Sequence, residues 1–317
     1  LHKEYRRQRQ MCIRDRQNIV ICPIDRILKI NNCIYRFQSS TIPCLLPQYR
    51  PFMEILNFTP GNSPLLMSIP HGGEYIPCDI VTKLTDAGPR IIDTDWYLDK
   101  LYNFAGDLHL NVLKANYSRY VVDLNRAPDN KSLYPGQNVT ELVPTSTFAE
   151  EPLYFAETKP DKAEIDRRLK TYWLPYHDKI TAALSDIKKE YGYVVLFDCH
   201  SIKSVVPRFF QGTLPDFNLG TSSGESCTTS LRDTLATTLS EDTEHSLAVD
   251  GRFKGGYITR HYGDPANNIH AFQLELSLAT YMNEEPAMFW KEDLAEKVRP
   301  TLRRMLESAL SWRPKGY

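Results

Sequence analysis

From about Phe52 onward, apolar and polar positions fall in blocks that predict strands and helices in turn. Pro64-Leu65-Leu66-Met67-Ser68-Ile69-Pro70 is a short apolar run closed by His71-Gly72-Gly73, the pattern of a buried strand ending in a turn. Tyr193-Val194-Val195-Leu196-Phe197 is apolar throughout and runs into Asp198-Cys199-His200-Ser201. Tyr120-Val121-Val122-Asp123-Leu124 and residues 271–276 are further strand candidates. Residues 91–105 fit a helix, with Trp96, Tyr97 and Leu101 on compatible faces. Residues 161–190 are rich in helix formers, and Pro175 is expected to kink or split that helix. Residues 286–310 close the chain as a helix or helical pair, and 211–224, with its Gly, Pro and Ser residues, reads as a loop. Alternating elements of this kind predict one α/β domain over residues 52–317, a mixed central β-sheet flanked by helices.

The first 51 residues carry no such pattern. Lys3, Arg6, Arg7, Arg9, Arg14 and Arg16 dominate their start with no period of 3.6 or 2, and residues 11–16 resemble translated sequencing-adapter DNA. The stretch 1–51 is therefore read as a poorly organised extension, upstream read-through in preference to a basic docking arm.

Charge and cysteine usage narrow the classes. With 38 basic and 39 acidic residues the chain has no basic excess of the kind that nucleic-acid binders carry. No apolar run is long enough for a membrane span, and the basic N-terminus lacks the apolar segment of a secretory signal. The seven cysteines are an odd number without a CxxC pair, which argues against a disulfide framework or a zinc finger. A cytoplasmic protein is expected, with a monomer as the simplest state.

Groups able to do chemistry collect just after the apolar runs. His71 follows one strand, His200 another, and Glu275 lies in a third; in open α/β sheets, sites form outside the carboxyl ends of strands. Either histidine alone reads as a hydrogen-bonded turn residue. Together they suggest a metal set of two His and one carboxylate. Glu74 has compact spacing for the carboxylate, and Asp95, in Asp93-Thr94-Asp95-Trp96-Tyr97-Leu98-Asp99, competes with it. If that segment is helical, Asp95 and Asp99 share a face and Asp93 is an N-cap, the ordinary alternative for these acids.

Two blocks carry cations. Arg119 and Arg126 flank the Tyr120–Leu124 run, with Asn125 beside Arg126. Guanidinium groups grip carboxylates in bidentate fashion, which suits an acidic substrate, and a salt bridge of Asp123 with an arginine is the structural alternative. The block 251–263 sets Arg252, Lys254, Tyr257, Arg260 and His261 among four glycines, an anion-binding loop or else a solvated hairpin. Glu275, among apolar neighbours in Gln273-Leu274-Glu275-Leu276, is costly to bury without a role, and burial would raise its pKa toward the range of a general base.

From about residue 64 to 310 the chain resembles the bacterial N-formylglutamate amidohydrolase family. The resemblance lies in SIPHGG (68–73), DTDWYLDKLY (93–102), RYVVDLNR (119–126), SLYPGQN (132–138), DCHSIKS (198–204), GTLPDFNLGT (212–221), GRFKGGYITRHYG (251–263) and AFQLELS (271–277). It implies a zinc carboxypeptidase-like α/β domain with one Zn2+, acting on the small acidic N-formyl-L-glutamate in histidine degradation. It further implies His71 and His200 as ligands with Asp95 preferred over Glu74, and Glu275 as general base. Arg119 or Arg260 would stabilise the oxyanion. Asn125 and Arg126, with Arg252 or Lys254, would bind the glutamyl carboxylates, with Tyr257 closing over them. The rival readings are a zinc deacylase or peptidase for another N-acyl amino acid, and a non-enzymatic anion or amino-acid binder. A cysteine amidase built on Cys199 is disfavoured, because Cys199 and His200 point to opposite faces of a strand.

Overall fold

A computed structural model describes residues 53–131, 139–285 and 288–317 in full, and the backbone alone of 26–30 and 33–37. Residues 132–138 of the SLYPGQN block and the 11–16 segment lie outside the described residues. The chain divides into two units, Leu1–Phe52 and Met53–Tyr317. Within the first, β1 (Arg26–Ile30) and β2 (Cys33–Phe37) pair antiparallel.

The second unit holds a seven-stranded mixed sheet. Its strands in chain order are β3 (Leu56–Thr59), β4 (Leu65–Ile69), β5 (Asn111–Ala115), β6 (Val194–Ile202), β7 (Phe217–Gly220), β8 (Leu247–Val249) and β9 (Ile269–Ser277). Their spatial order is β3-β5-β4-β6-β9-β7-β8. The inner strands β5, β4, β6 and β9 run parallel, β3 and β7 pair antiparallel with β5 and β9, and β8 runs parallel to β7. A small ribbon of β10 (Met282–Asn283) and β11 (Phe289–Trp290) lies apart from it.

The helices are α1 (Cys78–Val81), α2 (Leu98–Leu101), α3 (Lys162–Arg168), α4 (Leu174–Tyr191), α5 (Thr229–Ser240), α6 (Tyr257–Tyr262) and α7 (Glu292–Ser311). Strand side chains alternate between the two faces of the sheet. Leu65, Met67, Val195, Phe197, Phe272 and Leu274 therefore join one core with residues of α5 and α7. Leu66, Val194, Leu196 and Ala271 join another with α4 and Ile258 of α6. On the second face the apolar alternation gives way to Ser68, Asp198, His200, Gln273 and Glu275 toward the carboxyl ends of β4, β6 and β9.

Three expectations are corrected. Residues 91–105 form no continuous helix: left-handed Ile91 and Tyr97 (φ 40° and 57°) break the chain before the single turn of α2. Asp93 is consequently no N-cap, and Asp99 turns away to pair with Lys114 at 2.6 Å. The Tyr120–Leu124 run is a set of buried turns with no strand partner among the described residues. Its carbonyls find donors elsewhere, as buried backbone must: Arg168 Nη1 donates to Val121 O at 3.2 Å and to Tyr120 O at 3.5 Å. Within 211–224, Phe217–Gly220 is a strand, because Leu276 to Gln273 of β9 offer it an antiparallel edge. Pro175 does split its helix: a π-turn at Leu169–Trp173 separates α3 from α4, and the proline, which has no N–H to donate, sits in the first turn of α4.

Candidate active site

Each functional side chain is placed by a strand end or by a loop tied to one. β4 ends at Ile69, and His71 follows in the turn. Gly73 passes so close to the segment after β5 that a Cβ there would lie 2.3 Å from Tyr117 O. The backbone N–H of Asp95 donates to His71 O at 3.1 Å, which draws the irregular 91–97 loop onto the same turn. β6 and β9 run in parallel register, so His200 stands beside Glu275 and Asp198 beside Gln273.

These placements gather His71, Asp95 and His200 into one buried group whose candidate ligand atoms lie within 4.8 Å of one another. Asp95 Oδ2 is 3.0 Å from His200 Nδ1 and 3.8 Å from His71 Nδ1. On the far side of each ring stands a second carboxylate: His71 Nε2 is 2.8 Å from Asp123 Oδ1, and His200 Nε2 is 3.0 Å from Asp198 Oδ1. A carboxylate only accepts, so His71 donates Nε2–H outward to Asp123, while His200 Nε2 also lies 2.8 Å from Asn125 Nδ2; Nδ1 of each ring faces Asp95. Asp95 Oδ1 is buried and accepts no hydrogen bond among the described residues. Two imidazole nitrogens and a carboxylate with an unsatisfied oxygen fit a divalent ion of the zinc type. Glu74 is exposed beside Lys114 and Asp99, outside the group.

Burial and charge set the titration of the cluster. Burial lowers His71, helped by Arg119, against the pull of Asp123. Burial would lower His200 too, but Asp198 and Asp95 outweigh it and raise its pKa well above the ordinary value. Burial pushes Asp123 up, and His71 and Arg119 together bring it well below the usual carboxylate range. Burial also raises Glu275, with His200 pulling the other way and Asp95 adding to the rise, to about 8.

A cleft opens beside this group. His71, Arg119, Asn125, Arg126, Phe148, His200, Arg252, Gln273 and Glu275 are among the residues that line it. Arg119 is buried, donates to Asp123 Oδ2 at 2.9 Å and lies under the ring of Phe148. Arg126 is half-buried and braced by Thr140 O at 3.0 Å, and Arg252 donates to Phe209 O at 2.6 Å. Asn125 is engaged at both ends of its amide, with Ile258 N–H on Oδ1 and Asp198 on Nδ2, and so has no amide end directed to a ligand. Lys254, Tyr257 and Arg260 are not among the lining residues. Tyr257 stacks on His261 with ring centroids 4.7 Å apart, and Arg260 Nε donates to Gly255 O.

The loop that carries Asn125 and Arg126 is itself held from α4 and the π-turn before it. Trp173 Nε1 donates to Arg126 O at 3.1 Å and His177 Nε2 to Leu124 O at 2.9 Å. Sequence reasoning missed Asp198 and Gln273, although each stands two residues before His200 or Glu275 and so on the same strand face. It weighed Asp123 only as an arginine's partner, a contact that does form, and did not see His71 on its other oxygen. Cys199 points to the opposite core, where burial pushes its thiol well up, away from nucleophilic use.

Comparison with known proteins points to one family. The family profile of N-formylglutamate amidohydrolase matches residues 63–282. N-formylglutamate deformylase of Pseudomonas putida is 43% identical over 264 residues, 83% of this chain and 98% of that protein. N-formylglutamate deformylase of Pseudomonas aeruginosa is 44% identical over 264 residues, 83% of this chain and 99% of that protein. The crystal structure of N-formylglutamate amidohydrolase from Ralstonia eutropha JMP134 superposes with a TM-score of 0.69 at 24% identity, over 82% of this chain and 100% of that one.

Proposed function

The chain belongs to the N-formylglutamate amidohydrolase family, and from that premise we propose that residues 52–317 hydrolyse N-formyl-L-glutamate to formate and L-glutamate. Residues 1–51 have no part in this reading. The observation that carries it is one cleft in which a His–Asp–His group, a buried glutamate and three arginines converge. Zinc, a place in histidine degradation and a cytoplasmic location belong to the same proposal. No helix among the described residues is long and apolar enough to cross a membrane.

His71, Asp95 and His200 would hold the ion. When bound, zinc supplies Lewis acidity and makes water acidic enough to ionise near neutrality. Glu275 takes the proton of the attacking water on its carboxylate and returns it to the departing amide nitrogen. A pKa pushed up to about 8 by burial suits both halves of that task. Arg119 faces the cleft as the cation nearest the ligand group, and its guanidinium offsets the negative charge that grows on the formyl oxygen. Arg126 and Arg252 receive the two carboxylates of the glutamyl part, whose negative charge matches theirs. Asp123 holds the His71 ring by its outer N–H group, and the Asp198 carboxylate stands beside the outer nitrogen of His200.

The test is formate release by the full chain from N-formyl-L-glutamate, with and without a chelator, beside N-acetyl-L-glutamate and other N-formyl amino acids. Chelator-sensitive release with about one zinc per chain is the expected result. Metal without formate release would move the substrate to another N-acyl amino acid. Turnover that survives complete metal removal would sink the zinc reading.

A further inference from the structure

Two backbone N–H groups at the start of α6 each hold a buried side-chain amide, and each amide faces a carboxylate of the site. Gly256 N–H donates to Gln273 Oε1 at 2.8 Å, and Gln273 Nε2 donates to Glu275 Oε2 at 3.0 Å. Ile258 N–H donates to Asn125 Oδ1 at 2.7 Å, and Asn125 Nδ2 donates to Asp198 Oδ2 at 3.0 Å. A backbone N–H can only donate, so the oxygen of each amide must face the helix and its NH2 must face the carboxylate. Flipping either amide would set its NH2 against a backbone N–H that can only donate, which fixes the orientation of both.

We propose that Gln273 is a positioning residue for the proposed reaction: its amide, oriented by Gly256 N–H, fixes the carboxylate of Glu275 at the cleft. The inference rests on the reading of Glu275 as the proton carrier. Among the described residues, Gln273 provides the hydrogen bond that the Glu275 carboxylate accepts. Glutamate has three rotatable bonds and loses rotamer freedom when held. A hydrogen bond within a buried site, stronger there than in water, is the interaction suited to hold it. Gln273 is 4% exposed and lies two residues from Glu275 on one face of β9, so the strand sets the distance between them. Gly256 is placed as firmly: a Cβ there would lie 2.3 Å from Asn125 Nδ2, so the backbone can approach only without a side chain. The role is distinct from that of the lining arginines, because Gln273 has both ends of its amide engaged within the protein.

The experiment compares the full-length enzyme with Gln273→Leu and Gln273→Glu, reading kcat, KM, bound metal and Tm, together with a crystal structure of each variant. Gln273→Leu is expected to lower kcat about tenfold, the worth of one hydrogen bond, while KM stays within about twofold and metal content and Tm hold. Gln273→Glu keeps the shape, sets a carboxylate against Glu275 and should lower kcat at least as far. In both crystals the Glu275 carboxylate should leave its place. A kcat within about twofold of wild type in both variants, or a loss that falls on KM and metal content instead, overturns the proposal. If Gln273→Leu fails to fold, Gln273→Glu decides. If the wild-type enzyme releases no formate, it is the proposed reaction that fails, and the crystal structures still decide the positioning role: an unmoved Glu275 refutes it.

Discussion

His200 and Glu275 stand side by side in the parallel register of β6 and β9, one a candidate ligand and the other the candidate proton carrier. Their separation is set by strand pairing and not by a loop, which is the more precise way to hold two groups together. Because they are distinct side chains, their losses should separate. Glu275→Gln should lower kcat by about 10²–10⁴-fold, the usual worth of general acid–base catalysis, with bound metal unchanged. Measuring kcat and metal content on the same preparation checks it, and near-normal turnover would remove Glu275 from the mechanism.

Loss of a ligand should read differently. His200→Ala and Asp95→Asn should each lose the metal at micromolar free zinc, and Tm should cease to rise on zinc addition. Glu74→Gln should leave both readouts as in wild type, because Glu74 lies outside the group. A Glu74→Gln protein without metal, beside an Asp95→Asn protein that keeps it, would exchange the two assignments.

Arg126 and Arg252 are expected to act in binding. Arg126→Ala should raise KM for N-formyl-L-glutamate by about 10- to 100-fold, the loss of one charge-assisted contact, with a smaller change in kcat. The same substitution should matter little for an N-formyl amino acid that lacks the side-chain carboxylate or the α-carboxylate that Arg126 receives. Kinetics on such a pair of substrates would show which carboxylate it is, and equal effects on every substrate would deny Arg126 a binding role.

Much of this arrangement was legible in the chain, for a physical reason. Val194–Phe197 is apolar on both faces because β6 lies inside the sheet, and polar Asp198 and His200 appear where one face stops being core. The 91–105 segment misled, since Leu98 and Leu101 are buried and Trp96 half-buried as a helix would place them, while Ile91 and Tyr97 adopt left-handed angles that no periodicity reports. Val121 and Val122 suggested a strand through their β-propensity, yet the Val121 carbonyl is satisfied by a side chain that no local pattern announces, Arg168, 47 residues further on. β7 was hidden among turn formers because its four residues become a strand only between β9 and β8. Residues that act through others, such as Asp198 and Gln273, carry no motif of their own and become visible once the register is known.

His177 makes the fold sensitive to acid. Stacked on Trp173 with ring centroids 3.6 Å apart, it donates from Nε2 to Leu124 O and faces the Tyr262 hydroxyl with Nδ1. Burial brings its pKa down to about 3 from the ordinary 6.5. The folded state therefore binds this proton less readily than the unfolded state. The stabilisation is complete above pH 6.5 and is lost as pH falls toward 3, at about 1.4 kcal/mol per pH unit within that window. His270, lowered to about 4 by burial, acts in the same sense. In His177→Gln the fall of Tm between pH 7 and pH 5 should be shallower than in wild type. An unchanged slope would mean that His177 is not the group responsible.

Arg168 is fully buried and bonds Glu164, Tyr154 and Val121 O at 2.8, 2.7 and 3.2 Å. Arg168→Met should destabilise by about 3–5 kcal/mol, because carbonyls of the 120–121 turns lose their donor inside the protein. Chemical denaturation at constant metal concentration measures it, and a loss below about 1 kcal/mol would show that the turns hold without this guanidinium.

The two ends of Asn125 are taken up by Ile258 and Asp198, while Arg126, its neighbour in the chain, faces the cleft. One residue is built into the frame and the next meets the solvent side. Arg126 and Arg252 stand on segments outside the sheet, whereas His200, Gln273 and Glu275 stand on its strands. The choice of amino acid can thus drift, or be redesigned, by exchanging loop residues while the strand-borne groups stay where they are. Such a scaffold lends itself to retargeting toward other N-acylated compounds, provided that Asn125 is left alone.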